Sequence, residues 1–207
     1  MKFLKDLLRP LWHRYRAWRL RRPMPSETSK CRARLAPYCT GDGVDLGFGG
    51  DPITPEAIRV DLPEQYGAVG SQRAQLQGNA ADLKWFRDDS LDFVFSSHLL
   101  EDFVDTRAVL REWLRVLKPG GRLVISCPDE AVYRDYCRRT GWHYNIHHVH
   151  ADFSLRFVQD HLAALAPVRY LVATPAVDIY GWEMVAEKLP AGSSVLPDPA
   201  GSAPRSP

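Results

Sequence analysis

Three kinds of residue in this 207-residue chain are placed where they could do chemistry: carboxylates closing short apolar runs, glycines between them, and histidines further on. Val44-Asp45-Leu46 reads as a short buried strand, and Gly47, Gly49 and Gly50 then permit a sharp turn on which a ligand lies directly against backbone. Asp61 closes a second apolar run, Ile58-Arg59-Val60, so two strand ends set acidic side chains beside one crevice. A carboxylate in that position can accept both hydroxyls of a ribose, so the turn suits a nucleotide-like ligand. His98 follows a third apolar run, Leu91–Phe95, and His143, His147, His148 and His150 fall within eight residues. Imidazole titrates near neutral pH, which suits it to take a proton from a hydroxyl.

A glycine turn with a distant acid is also the nicotinamide-dinucleotide fingerprint, and the spacing excludes it. Position 52, where glycine or alanine belongs, is proline, and Asp61 follows Gly47 by 14 residues rather than by about 20. The four later histidines are accompanied by no Glu or Cys at a familiar ligand spacing, so no metal site is expected.

These residues need elements to position them. Between Gly49 and Ile58 only a one-turn helix fits, capped by Thr54 with Pro55 and Glu56 in its first turn, so the first crossover helix should be one turn or absent. A short third strand over 74–77 leads to Gly78-Asn79-Ala80-Ala81-Asp82. There the Asn79 side chain could either hydrogen-bond an adenine amino group or close an Asx turn. Leu91–Phe95 should be a central parallel strand. Leu110, Trp113, Leu114 and Leu117 lie on one face of a helix that Lys118-Pro-Gly-Gly should end, ahead of a fifth strand. A helix over 128–140, a second over 153–165 with Ser154 as its N-cap, and two late strands, 168–173 and 181–188, complete the pattern.

Taken together, Asp45-x-Gly47-x-Gly49, the segment from Leu83 to Phe103 containing Ser97-His98-Leu-Leu-Glu101, and Leu110 to Ser126 with its Lys118-Pro-Gly-Gly turn resemble the type 11 family of class I S-adenosylmethionine-dependent methyltransferases. The resemblance covers roughly residues 41–126, in the family's order. It departs at Asp51, where a third glycine is frequent, and at Asn79, where the family often has an acid. It implies an α/β fold: a Rossmann-like doubly wound sheet, mostly parallel with an antiparallel C-terminal strand, in three αβα layers. It also implies S-adenosyl-L-methionine as cofactor. Asp45, Gly47, Phe48 and Gly49 would surround its methionine and ribose portions, Asp61 its ribose hydroxyls, and Asn79, Ala80 and Asp82 its adenine, with Ser97 in the same cofactor-binding set. His98 and His148 are the candidate catalytic bases, with His150 an alternative, for a small-molecule or glycan acceptor. An aminopropyl transferase would share the fold, but the paired acids it should carry after the fourth strand are not evident beyond Glu101 and Asp102.

Charge divides the chain. Residues 1–23 hold eight Lys and Arg against Asp6 alone, leaving 19 basic and 24 acidic residues for the rest, although the whole carries only +2. Leu4, Leu7, Leu8, Leu11, Trp12, Tyr15 and Trp18 fall at helical spacing, kinked at Pro10, so this stretch reads as a basic amphipathic helix. It suits either an anionic membrane surface or packing on a protein face. Nucleic acid is disfavoured because the remainder is acidic and offers no binding module. The domain division is then 1–23 for the helix, 24–189 for the methyltransferase domain and 190–207 for a disordered tail rich in Pro, Ala, Gly and Ser. Four cysteines without C-x-x-C spacing read as free thiols in a reducing, cytoplasmic setting, with peripheral placement at a membrane left open.

Overall fold

The computed structural model describes residues 25–64 and 70–193. The expectations for residues 1–23 and for most of the 190–207 tail lie outside the described residues. Seven strands form one sheet: β1 (Gly43–Leu46), β2 (Ile58–Asp61), β3 (Leu76–Gln77), β4 (Leu91–Ser97), β5 (Leu117–Pro128), β6 (Val168–Val177) and β7 (Gly181–Lys188). Their spatial order is β3-β2-β1-β4-β5-β7-β6. The first five pair in parallel, and β7 runs antiparallel to both neighbours, β5 and β6. The order reverses between β1 and β4, so a crevice opens at the carboxyl ends of these two strands, where open α/β sheets bind ligands.

Each face of the sheet is covered by what alternates out of the strands. On one face Val44, Leu46, Val94, Leu123 and Ile125 pack beneath α2 (Thr106–Val116) and α4 (Leu155–Ala163). On the other, Phe93, Phe95, Val124 and Val185 pack beneath α1 (Glu27–Leu35) and the loop that carries Ile53 and Ala57. Ser26 caps α1: it accepts the Ser29 N–H at 2.9 Å, and Glu27 sits in the positive first turn. α3 (Glu130–Thr140) begins at Asp129, whose carboxylate accepts the Val132 N–H, and stops at Gly141, which takes a φ of 70°. Ser154 caps α4 as expected, accepting the Phe157 N–H at 3.2 Å.

Three local expectations are corrected. No helix forms between β1 and β2, so of the two outcomes expected, one turn or none, the crossover helix is absent. Thr54 caps nothing, and its hydroxyl is buried without a hydrogen-bond partner among the described residues. The reason is length: the loop is held flat by the Ile53 N–H, which donates to the Asp45 carboxylate at 2.7 Å. α2 ends at Val116, and Leu117 already pairs with Leu91 in the sheet. Pro119 restricts Lys118 to extended backbone, and the Lys118 ammonium goes to Asp92 at 2.7 Å. The basic group over the end of α2 comes instead from β7, where Lys188 Nζ donates to the Leu114 and Leu117 carbonyls at 2.8 and 2.7 Å. The third strand is also shorter than the 74–77 expected, at Leu76–Gln77.

Candidate active site

A cavity of about 860 Å³ lies at the carboxyl ends of β1, β2 and β4. Of the residues expected to bind cofactor, Gly47, Phe48, Gly49, Asp61, Asn79, Ala80 and Ser97 line it, as do both candidate bases, His98 and His148. The glycine turn leaves β1 with Gly47 and Gly49 at φ of 65° and 58°. A side chain on Gly47 would strike Leu99, whereas one on Gly49 would meet nothing within 4 Å. Gly49 therefore leaves room in the cavity wall that any other residue would fill. The Asp61 carboxylate accepts the Gly49 N–H at 3.2 Å and the Leu62 N–H at 2.8 Å, which fixes the acid of β2 beside the turn of β1.

Two expected residues do not reach the cavity. Asp45 is wholly buried under the turn, and burial raises its pKa well above the usual carboxylate range, against the opposing Ile53 hydrogen bond. It shapes the loop from below. Asp82 is exposed, with Lys84 at 3.4 Å, because the turn opened by Asn79 points it outward. The Asn79 amide oxygen accepts the Ala81 N–H at 2.9 Å, the Asx turn of the two alternatives, while the residue itself stays on the cavity wall. That loop is anchored from behind by Trp113, whose indole N–H donates to the Ala80 carbonyl at 2.8 Å.

His98 sits directly after β4 at a φ of 52°, a conformation uncommon outside glycine, with its backbone N–H donating to the Ser126 carbonyl at 2.9 Å. Its Nε2 is 3.4 Å from Glu27 of α1, and its Nδ1 is 3.7 Å from Glu101. Burial lowers its pKa to about 4, so the imidazole is neutral at pH 7 and one ring nitrogen carries a lone pair. His148 donates or accepts through Nδ1 at 2.9 Å from Glu130, which also holds Arg134 at 2.6 Å and the Tyr144 hydroxyl. His150 is elsewhere: its Nε2 faces Thr106 Oγ1 at 2.9 Å and the Phe103 carbonyl at 2.8 Å, and its ring stacks on Phe153, so it is a packed structural histidine. Among the described residues, His, Cys, Asp and Glu form no group of three or more arranged to hold a metal ion.

Part of the cavity wall is aromatic. Tyr180, from the β6–β7 turn, lies 4.9 Å from Tyr133 and 5.4 Å from Tyr136 between ring centroids, and half-exposed Trp142 stands at the rim. The sequence offered no periodicity that assembled these rings, because they come from α3, a loop and a hairpin turn far apart in the chain. Glu101 and Glu130 were also not legible as partners of the histidines; both are fully buried.

Asp51, the departure from the glycine pattern, turns away from the cavity. It takes the Ser26 hydroxyl and the Arg32 guanidinium, tying the glycine turn to the first turn of α1, which overhangs the cavity through Ser26 and Glu27.

A seven-stranded sheet of this order, a glycine turn after β1 and an acid at the end of β2 define the class I S-adenosylmethionine-dependent methyltransferase fold. Residues 45–125 match the family model described as a methyltransferase domain. The chain is similar to a demethylmenaquinone methyltransferase of Mycolicibacterium paratuberculosis, 43% identical over 81 residues that make up 35% of each chain. It is also similar to an uncharacterized methyltransferase of Bacillus subtilis, 31% identical over 125 residues, 53% of this chain and 48% of that one. The matches thus span less than half the length of these curated relatives. Among solved structures, a SAM-dependent methyltransferase of Thermotoga maritima superposes with a TM-score of 0.60 at 18% identity, over 89% of this chain and 99% of that one. One from Archaeoglobus fulgidus does so at 0.55 and 16% identity, over 78% and 92%. Both likenesses are of fold.

Proposed function

We propose that this protein is an S-adenosylmethionine-dependent methyltransferase acting on a hydroxyl of a small molecule or glycan. The observation that carries the reading is the wall around Gly49. The glycine leaves space against backbone, Asp61 is fixed beside it, and the buried Ser97 hydroxyl faces the same cavity with no hydrogen-bond partner among the described residues. These features fit the cofactor: Asp61 would hold its ribose hydroxyls, the Gly47–Gly49 backbone its methionine end, and Asn79 and Ala80 its adenine end. When bound, S-adenosylmethionine supplies a methyl group already activated on sulfonium for in-line displacement. The chain's own part is to orient the acceptor, exclude water and take a proton. α1 and the aromatic wall close over the cavity, and neutral His98 takes the hydroxyl proton at Nε2.

A small-molecule acceptor is supported by the mycobacterial relative, which is named for demethylmenaquinone. The basic segment 1–23 favours an acceptor presented at an anionic membrane surface, and Pro25, two residues beyond it, lines the cavity. Titration calorimetry with S-adenosylmethionine tests the enzyme reading. Micromolar binding lost in Asp61→Ala supports it, and no detectable heat leaves a non-catalytic module. Co-sedimentation of the full chain and a deletion of 1–23 with anionic liposomes tests the membrane reading, which unchanged partitioning would remove.

A further inference from the structure

The buried carboxyl of Glu101 stands between two histidines of the cavity, His98 and His148. One oxygen, Oε2, accepts the Cys127 thiol at 3.3 Å. The other, Oε1, is buried with no hydrogen-bond partner among the described residues and lies 3.7 Å from both His98 Nδ1 and His148 Nε2. A buried carboxylate oxygen left without a donor is costly, and an arrangement that uses every atom removes the cost. His148 gives its Nδ1 proton to Glu130, which leaves a lone pair on Nε2 facing Glu101. A neutral Glu101 can donate its hydroxyl to that lone pair and accept the His98 Nδ1–H on the same oxygen. His98 then carries its lone pair on Nε2, the nitrogen on the cavity side. Active-site hydrogen bonds are often long without substrate and tighten when it binds, so 3.7 Å is within reach of such a chain.

We propose that Glu101 is a positioning residue: its neutral carboxyl joins His98 to the His148–Glu130 pair and sets the His98 tautomer that leaves Nε2 basic. This rests on the methyl-transfer reading for its use, though not for its test. Burial raises Glu101 to about 8, which keeps the carboxyl protonated at neutral pH, and the groups facing it are His98, Asp102, Cys127, Glu130 and His148. The same chain carries charge. A proton taken from the acceptor at His98 Nε2 makes an imidazolium. His98 passes its Nδ1 proton to Glu101 Oε1, Glu101 passes its own to His148 Nε2, and the positive charge rests beside the Glu130 carboxylate. Each group gains one proton and loses one except His148, which keeps the one released. The opposing influence is Glu27, 3.4 Å from His98 Nε2, which favours a proton there; its carboxylate is one-third exposed and already pairs with Lys30 at 2.6 Å.

Long-range ¹H–¹⁵N correlation spectra of histidine side chains in the full chain, assigned with His98→Asn and His148→Asn, read this directly at neutral pH. The expected result is His98 and His148 both protonated at Nδ1 and bare at Nε2. Glu101→Leu should move the His98 proton to Nε2, while Glu101→Gln, whose amide can both donate and accept, and Glu27→Gln should leave it at Nδ1. A His98 proton on Nε2 in the unaltered chain overturns the proposal, as does a tautomer that survives Glu101→Leu or switches with Glu27→Gln. If Glu101→Leu does not fold, the tautomers of the unaltered chain and of Glu27→Gln still decide. Neither cofactor nor acceptor is needed, so failure here leaves the cofactor-binding result standing, and the reverse holds.

Discussion

The Asp51 carboxylate takes the Arg32 guanidinium at 2.5 Å, with both side chains about one-third exposed. The residue standing where the family often has a third glycine therefore belongs to the contact between the glycine turn and α1. A partly exposed pair of this kind contributes little, roughly 0.5–1 kcal/mol. Asp51→Ala should lower stability by about that much in urea unfolding, and should loosen binding of S-adenosylmethionine by a few fold through the overhanging first turn of α1. A variant that binds more tightly would show that α1 restricts the cavity rather than completing it.

Asp61 is the carboxylate with the most direct claim on a ligand, since it is fixed by two backbone N–H groups at the cavity wall. Hydrogen bonds to a charged group contribute about 1.5–3 kcal/mol. Asp61→Ala should weaken S-adenosylmethionine binding by roughly tenfold to a hundredfold in calorimetry. Asp82→Ala, altering an exposed residue off the cavity, should leave the affinity unchanged.

Trp113 is fully buried, and its indole N–H holds the Ala80 carbonyl. Trp113→Ala should cost about 3–5 kcal/mol as a large-to-small core change. Trp113→Phe fills most of the space but orphans that carbonyl, at about 1–3 kcal/mol. Thermal and urea unfolding compare the two. If they cost the same, the N–H and not the ring holds the loop.

Stability should depend on pH through two opposed groups. Glu101 keeps in the folded state, up to about 8, a proton that the unfolded chain releases near 4.5, so stability falls as pH rises across that window. His98 refuses until about 4 a proton that the unfolded chain accepts near 6.5, so stability falls as pH drops across that window. The slopes oppose one another between about 4.5 and 6.5, and only that of Glu101 remains from 6.5 to 8. Glu101→Gln should flatten the decline above pH 6.5 in a series of urea midpoints. An unchanged decline would assign it to another buried acid, of which Asp45 is the first candidate.

What was legible in the sequence follows from local physics. Apolar runs bounded by turn residues marked β1, β2 and β4; Ser154 marked the start of α4; and the brevity of the link between Gly49 and Ile58 already limited the crossover to one turn at most. Lys118 misled because a basic residue beside a helix end is a sound local signal. The Pro119 constraint and the nearby Asp92 outweighed it, and the end of α2 was left to Lys188, 71 residues beyond Leu117.

The glycine turn, Asp61, His98 and the family they imply were determined by the sequence itself, because each depends on residue type at short spacing. Only the tertiary structure decided that Asp45 and Asp82 stay off the cavity, that His150 packs against Phe153, and that Glu101 lies between His98 and His148. Burial and the meeting of strand ends with distant loops set those outcomes, and neither is a property of neighbouring residues in the chain.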